Sequence, residues 1–133
     1  MKAEARRLNG FQNRCLRQII GVKPSYISRI SNERVLRMSG HRQATRILED
    51  KQLMTLGRVL RLPEGHPMRI VSLMPGTTRP ATEQYVRRVG RPCKEWIPEA
   101  LDLARRRLCR DSQEINFLAQ CELSWKKAVA ESA

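Results

Sequence analysis

Hydrophobic residues first recur at helical spacing close to the start of the chain. Between residues 3 and 20 they are three or four positions apart, and Gly21 followed by Pro24 marks the end of a helix. Because an amphipathic helix buries its apolar stripe, we expect that stripe to face a core and the arginines opposite to face solvent. The apolar positions are Leu8, Phe11, Cys15, Leu16, Ile19 and Ile20.

Two more helices are predicted within the first 62 residues. Ser31 or Asn32 can cap a short helix over 33–38, since both side chains accept hydrogen bonds from free backbone N–H groups. A longer helix is predicted over 43–62, in which Gly57 costs about 1 kcal/mol of helix stability relative to Ala. The apolar positions of this helix are Ile47, Leu48, Met54, Leu56, Val59 and Leu60.

The pattern changes between residues 63 and 93. Five of the seven prolines lie in this segment, together with three glycines. A short helix fits over 68–74, whereas the sequence PGTTRP at 75–80 is typical of a linker. The whole segment is therefore predicted to be a Pro/Gly-rich basic linker.

The last forty residues have the most regular pattern. A helix is predicted over 95–110, and Asp111 with Glu114 has the spacing of a capping box that begins a second, final helix. Two amphipathic helices with so short a joint form an antiparallel hairpin, for which Trp96 and Trp125 are the expected anchors. The apolar positions are Trp96, Ile97, Ala100, Leu101, Ala104 and Leu108, then Ile115, Leu118, Cys121, Trp125 and Val129.

These elements predict an all-α chain in three parts. Residues 1–62 form a basic helical segment of about three helices, residues 63–93 form the Pro/Gly-rich basic linker, and residues 94–133 form a neutral helical hairpin. With 133 residues the chain is long enough for a modest core, built mainly from aliphatic side chains because only 5% of residues are aromatic.

Positive charge is concentrated in the first part. The chain has 26 Lys or Arg and 13 Asp or Glu, a net charge of +13, of which residues 1–62 carry +10, the linker +3 and the hairpin zero. Twenty of the basic residues are Arg, whose planar guanidinium forms paired hydrogen bonds with phosphate oxygens. This bias favours a nucleic-acid partner, RNA or DNA, contacted mainly through its backbone.

The candidate binding residues lie in three places. The polar face of the first helix carries four arginines, and the end of the third helix carries two. The linker ends in a basic strap over residues 86–92, which closes with Pro92 and is followed by Lys94. A denser run at 105–107 is set aside, because helical neighbours point about 100° apart and this run lies near Glu99 and Asp102. The predicted nucleic-acid-binding residues are Arg6, Arg7, Arg14, Arg17, Arg58, Arg61, Arg87, Arg88, Arg91 and Lys94.

No catalytic or cofactor chemistry is predicted for this chain. His41 and His66 are isolated, and the four cysteines form no CxxC pair, so we expect neither a metal nor another cofactor. The adjacent acidic pair Glu49 and Asp50 is expected to be solvated rather than to gather metal ions. Cys93, in a basic loop, is the expected reactive thiol.

The chain is also expected to be intracellular, either nuclear or cytoplasmic. No window approaches about 18 consecutive apolar residues, which excludes a membrane-spanning helix, and no apolar run follows the first charges as in an export signal. Widely spaced cysteines in such a chain are expected to be reduced.

Five segments together resemble one protein family. LRQIIGV at 16–22 and SNERVL at 31–36 resemble the LRxIxGV and SNxxLL segments beyond the thumb of non-LTR (LINE-type) retrotransposon reverse transcriptases. KQLMTLGRVLRLP at 51–63 resembles RRLRWLGHVLRMP, and RVGRPCKEW at 88–96 resembles RRGRPRKRW. SWK at 124–126 stands where the family often has xWR, and all five segments follow the family's order.

The resemblance implies that the chain is the C-terminal tail of such a polyprotein, without the endonuclease and the polymerase palm that lie upstream in the family. That tail is taken to help grip template RNA or target DNA. The chain departs from the family at Thr55, Arg58 and Cys93, where the family has Trp, His and Arg. Loss of that His weakens a base-specific role, while Arg58 keeps the position basic.

Two alternatives stay open at the level of sequence. One is a protein-interaction module whose hairpin at 94–133 docks a protein partner while the basic half serves solubility. The other is an orphan retroelement fragment without selected function, largely unfolded alone. The two tyrosines, Tyr26 and Tyr85, lie in or near basic loops, which favours nucleic-acid binding because bases stack on aromatic rings.

Overall fold

The computed structural model describes residues 2–81 and 95–132, and this part of the chain contains eight helices and no strand. The all-α prediction is therefore confirmed. The helices are α1 (Lys2–Ile19), α2 (Ser25–Ser28), α3 (Asn32–Ser39), α4 (Ala44–Arg61), α5 (Pro67–Ser72), α6 (Trp96–Leu108), α7 (Ser112–Gln120) and α8 (Glu122–Glu131).

The chain divides into two compact units, Met1–Glu49 and Asp50–Ala133, and the division falls inside α4. The limits proposed from the sequence lie instead at 62 and 93, where the composition changes. Composition marks linkers through proline and glycine, whereas a compact unit is defined by the side chains that pack together.

The first unit is built on the packing of α1 against α3. Leu16, Val35 and Leu36 form its small buried core, which half-buried isoleucines at positions 20 and 30 extend. The predicted cap of α3 is confirmed, since the Ser31 hydroxyl accepts a hydrogen bond from the Arg34 N–H at 3.2 Å. The helix ends at Gly40, whose φ of +67° lies in the left-handed region that favours glycine.

The face of α1 that points inward differs from the prediction. Phe11 and Ile19 are 65% and 78% exposed, whereas Asn13 and Arg17 are buried beside Leu16. The hydrophobic spacing predicts that the face with Phe11 and Ile19 is buried, but α1 packs against α3 through the neighbouring face, which carries Leu16. Burial of Arg17 there is possible because both terminal nitrogens of its guanidinium donate hydrogen bonds to neighbouring oxygens.

The second unit has the larger core, and helices from both sides of the linker contribute to it. Leucines and a valine of α4 pack with apolar residues of α6, α7 and α8. The predicted helix over 68–74 is present as α5, which begins at Pro67. The largest fully buried side chains of this core are Leu53, Leu56, Val59, Leu60, Leu73, Ile115 and Trp125.

Trp125 of α8 occupies a place on α4 that only glycine can provide. Its indole Nε1 donates a hydrogen bond to the Leu53 carbonyl oxygen at 2.9 Å, and the ring lies directly over Gly57. A Cβ atom added at Gly57 would lie 2.6 Å from Cδ1 of the ring and closer still to Nε1. The glycine that lowers the helix propensity of α4 therefore permits the closest contact of the core.

The C-terminal part contains three helices where two were predicted. The capping box of Asp111 and Glu114 is confirmed, with Glu114 accepting from the Asp111 N–H at 3.3 Å. The helix that it begins ends at Cys121, whose extended backbone separates α7 from α8. Of the two expected anchors, Trp125 is fully buried but Trp96 is 37% exposed, so the prediction for Trp96 is wrong.

Two arginines of the run at 105–107 pair with carboxylates, Arg105 with Asp102 as expected and Arg107 with the more distant Asp50. Arg105 and Arg106 hydrogen-bond to the side chain and the carbonyl oxygen of Asp102, respectively. Arg107 is 6% exposed and forms an ion pair with Asp50 at 2.7 Å. The expectation that Asp50 is a solvated carboxylate is therefore wrong, because a buried arginine from α6 holds it.

Candidate nucleic-acid interface

The first unit carries most of the positive charge of the chain. Residues 1–49 include 11 Lys or Arg and 3 Asp or Glu, a net charge of +8. Of its basic side chains that the structure describes, all but Arg17 are exposed. Such a field attracts polyanions, and it is strongest where no carboxylate lies near the arginines.

Three of the predicted binding residues lie together on α1. Arg6, Arg7 and Arg14 are exposed, and none of them forms an ion pair with a described residue. Arg7 and Arg14 are seven positions apart, which places them on one side of the helix and about 10 Å apart along its axis. That separation is roughly the rise of three nucleotides in one strand of a duplex, at about 3.4 Å each.

Arg17 does not belong to this exposed set, which corrects its sequence-based assignment. It is 7% exposed, and its guanidinium is surrounded by oxygens of the following loop. Nη1 donates to the Lys23 carbonyl oxygen at 3.1 Å, and Nη2 donates to the Ile30 carbonyl oxygen at 2.6 Å and to Asn32 Oδ1 at 3.0 Å. Arg17 therefore holds the segment between α1 and α3 in place.

Arg58 and Arg61 lie on the second unit, one turn apart on α4. Arg58 is exposed, whereas Arg61 is half-buried and donates to the Ala119 carbonyl oxygen at 3.0 Å. The pKa of the Glu122 carboxyl is lowered, chiefly by its hydrogen bond and ion pair with Lys126 and further by the charges of Arg61 and Arg58. These two arginines thus share their surroundings with a carboxylate.

The remaining predicted residues cannot be placed. Arg87, Arg88 and Arg91 of the basic strap, and Lys94 beyond it, lie outside the described residues. The same holds for Cys93, the expected reactive thiol, and for Tyr85.

Several exposed cations of the first unit were not singled out from the sequence. They flank the loop that Arg17 holds and the start of α4, and local charge density along the chain was the pattern that could have found them. They are Lys23, Arg29, Arg34, Arg37, Arg42 and Arg46, of which Arg46 forms an ion pair with Glu49 at 3.3 Å.

The site that sequence reasoning missed most clearly is Cys121, at the start of α8. Its thiol is exposed, and the residue is the N-cap of α8. The pKa of this thiol is lowered, first by a hydrogen bond with the Ser124 side chain, then by backbone N–H groups of Ser124 and Leu123 and by the charge of Arg61. A helix break could not be read from periodicity, so the thiol was assigned to an apolar stripe.

Neither a metal centre nor a membrane span occurs in the described ranges. Across residues 2–81 and 95–132, no three His, Cys, Asp or Glu side chains are grouped so that they could hold a metal ion. Both histidines act locally: His41 Nδ1 contacts the Ser39 carbonyl oxygen at 2.6 Å, and His66 caps α5. None of the described helices is both long and apolar enough to cross a membrane.

Comparison of the chain with protein-family models, with curated proteins and with solved structures found no match. The retroelement resemblance therefore depends on the five sequence segments alone.

Proposed function

We propose that the chain is a non-catalytic helical module that binds RNA or DNA by contacting its phosphate backbone with arginine side chains of the first unit. The observation that carries the proposal is the set of Arg6, Arg7 and Arg14 on α1. All three are exposed and have no ion-pair partner among the described residues, in a unit of net charge +8.

The preference of arginine for phosphate favours a nucleic acid as the partner. Arginine is the dominant basic residue, and its guanidinium binds phosphate oxygens with two parallel hydrogen bonds, which a lysine ammonium cannot do. Contacts of this kind fix the position of a protein on the backbone but carry no sequence information. We therefore expect tight, salt-sensitive binding with little sequence preference.

The resemblance to retrotransposon reverse transcriptases supports the same proposal from the sequence. In that setting the module would help a polymerase hold its template or target without contributing to the chemistry. An in-frame polymerase domain encoded directly upstream would support this origin.

The first test is the salt dependence of binding by the full chain. Affinity for a fluorescent duplex and for a single strand is measured by anisotropy between about 50 and about 300 mM salt. If roughly five to eight phosphates are neutralised, log K should fall with log[salt] with a slope of about −4 to −7. Absence of binding at about 50 mM salt, or a slope near zero, would reject the proposal.

A matched pair of triple variants then locates the interface. Replacing Arg6, Arg7 and Arg14 by Gln should weaken binding roughly ten- to hundredfold and flatten the slope by about two to three units, at about 0.9 for each phosphate that is no longer neutralised. The control, with Gln at 105, 106 and 110, removes the same charge from arginines of the second unit. Arg107 is left intact, because its ion pair with Asp50 is structural.

A third variant, with Gln at Arg87, Arg88 and Arg91, measures the contribution of the strap. Equal losses of affinity in all three variants would mean that bulk charge, rather than arginines at particular positions, accounts for binding. A loss confined to the strap variant would move the interface from α1 to the linker.

A second candidate function, docking of a protein partner by the second unit, is favoured by two exposed apolar side chains. Phe117 of α7 is 84% exposed and Leu123 of α8 is 77% exposed. Replacing both by Ser should leave nucleic-acid binding unchanged. If the full chain binds no nucleic acid and this variant abolishes a specific protein contact, the docking function is the better conclusion.

A further inference from the structure

The first unit contains a cavity of about 510 Å³ between α1, the short helix α2 and the start of α3. This volume is in the range of small-ligand sites. Its wall contains amides, two guanidinium groups and one aromatic ring. The side chains that matter here are those of Asn13, Arg14, Arg17, Gln18, Tyr26 and Asn32.

Arg17 gives the cavity a fixed positive wall. The hydrogen-bond partners of its guanidinium among the described residues are carbonyl oxygens of Lys23 and Ile30, the Ser28 hydroxyl and the Asn32 amide oxygen. All of these partners are neutral, so the buried charge of Arg17 is solvated by dipoles but not cancelled. An uncancelled buried cation favours an anion beside it.

Asn13 adds an acceptor that the described part of the protein does not use. The residue is 7% exposed, and its Nδ2 donates to the Asn9 carbonyl oxygen at 2.8 Å. Its Oδ1 is buried and accepts no hydrogen bond from any described residue. A buried acceptor without a donor costs about 1–3 kcal/mol. Because less than 1 Å² of this oxygen is accessible, a ligand donor reaches it only if the surrounding side chains move.

Tyr26 and Arg14 supply the exposed rim of the same cavity. Tyr26 of α2 is 78% exposed, so the face of its ring is accessible. Arg14 of α1 is exposed and forms no ion pair with a described residue. An aromatic ring beside an arginine is the combination with which proteins hold an unpaired base and its phosphate.

We propose that this cavity binds one unpaired nucleotide of an RNA or DNA strand, with its base stacked on Tyr26 and its phosphate on Arg14 beside the buried charge of Arg17. This rests on the proposed nucleic-acid-binding function and specifies its ligand. Only an unpaired nucleotide fits, since each base of a duplex already has neighbours on both faces and cannot stack on a side chain without leaving the helix. The protein therefore prefers single strands, loops or ends to continuous duplex.

The test compares a 12-nucleotide single strand with a duplex of the same sequence, using the full chain. Tyr26→Ala should weaken single-strand binding about five- to hundredfold, the range expected for loss of one stacked base. Duplex affinity should change less than about twofold, because the general arginine surface remains. Tyr26→Phe keeps the stacking ring and should restore single-strand binding.

Two controls make the result specific. Phe117→Ala removes an aromatic ring of similar exposure from the second unit and should change neither affinity. Arg14→Gln should reduce the preference for single strand, whereas Arg37→Gln, which removes an exposed arginine away from the cavity wall, should preserve it. Because Tyr26 and Arg14 are exposed, unchanged far-ultraviolet circular dichroism is expected for each variant.

Failure of this proposal differs from failure of the proposed function. If Tyr26→Ala leaves single-strand binding unchanged, or weakens both substrates equally, the cavity is not a nucleotide site although salt-dependent binding persists. If the unaltered chain binds neither substrate at about 50 mM salt, the proposed function itself is wrong and the cavity proposal falls with it.

Discussion

The contact between Gly57 and Trp125 allows a prediction with an unusual sign. Gly→Ala inside an exposed helix normally stabilises a protein by about 0.5–1 kcal/mol, because the unfolded chain loses conformational freedom. At Gly57 the added methyl group would lie 2.6 and 2.7 Å from Cδ1 and Cε2 of Trp125, and closer still to its Nε1. These distances are far inside van der Waals contact, so Gly57→Ala should destabilise the second unit.

The magnitude follows from two terms that oppose the gain in helix propensity. Overpacking a filled core costs about 1–3 kcal/mol. Trp125 is fully buried and its Nε1 is fixed to the Leu53 carbonyl oxygen at 2.9 Å, so a ring that moves away also leaves a buried N–H unpaired, at about 1–3 kcal/mol. After subtraction of the gain in helix propensity, the net loss is about 1–5.5 kcal/mol when the hydrogen bond breaks and at most about 2.5 kcal/mol when it survives.

Urea denaturation followed by tryptophan fluorescence measures this loss, because both tryptophans lie in the second unit. Gly10→Ala in α1 is the matched control, because nothing lies within 4 Å of the added Cβ atom. This change should stabilise the first unit by about 0.5–1 kcal/mol, measured from urea denaturation followed by circular dichroism. Trp125→Phe removes the five-membered ring that meets Gly57. In that background Gly57→Ala should cost clearly less, which gives a coupling free energy.

Two results would refute the reasoning. One is a Gly57→Ala protein that is as stable as the original chain or more stable. The other is an equal cost of Gly57→Ala with and without the Trp125→Phe substitution, which would show that the contact with the indole is not the cause.

Two further predictions concern the second unit. Arg107→Gln should destabilise this unit by about 3 kcal/mol, which is at the low end for a broken buried ion pair because the Asp50 side chain keeps 22% exposure. The control Arg106→Gln should change the free energy of unfolding by less than about 0.5 kcal/mol. Similar values for both variants in urea denaturation would contradict a structural role for Arg107. Because the pKa of the Cys121 thiol is lowered, its thiolate forms at lower pH than usual. The midpoint of its alkylation rate plotted against pH should therefore lie below that of an ordinary cysteine, and this midpoint should rise in Ser124→Ala. Alkylation of the exposed Cys109 serves as internal control. A Ser124→Ala midpoint that does not move, read by mass spectrometry of iodoacetamide adducts, would exclude the serine as the cause.

Most helix positions could be predicted from the sequence because their ends carry local chemistry. Ser31 and Gly40 bracket α3, and Asp111 begins α7, each through hydrogen bonds within one turn. Such features depend only on neighbours in sequence. The break at Cys121 has no glycine or proline to announce it, so hydrophobic periodicity runs straight through it.

Which face of a helix is buried depends on distant residues and was predicted less well. On α1 the apolar stripe through Phe11 and Ile19 is exposed, while polar Asn13 and Arg17 are buried. Hydrophobicity predicts burial only on average, and a polar side chain such as that of Arg17, whose two terminal nitrogens both find acceptors, can be buried instead. The partners of Arg17 lie 6 to 15 positions further along the chain, which no local pattern contains.

Four of the five segments that resemble the retrotransposon family meet in two pairs, one pair inside each unit. In the first unit, Arg17 of LRQIIGV donates to Asn32 of SNERVL at 3.0 Å. In the second, Gly57 of KQLMTLGRVLRLP lies under Trp125 of SWK. The residues that meet in this way are a buried hydrogen-bonding group, its acceptor and two core positions, all of which contribute to folding, whereas other residues of the same segments, such as Arg34 and Arg58, are exposed. The exposed residues of the first unit that we assign to the ligand, Arg6, Arg7, Arg14 and Tyr26, lie outside these segments, whereas the buried Arg17 of the cavity wall lies inside LRQIIGV. Binding therefore has to be measured by substitution of the exposed residues themselves.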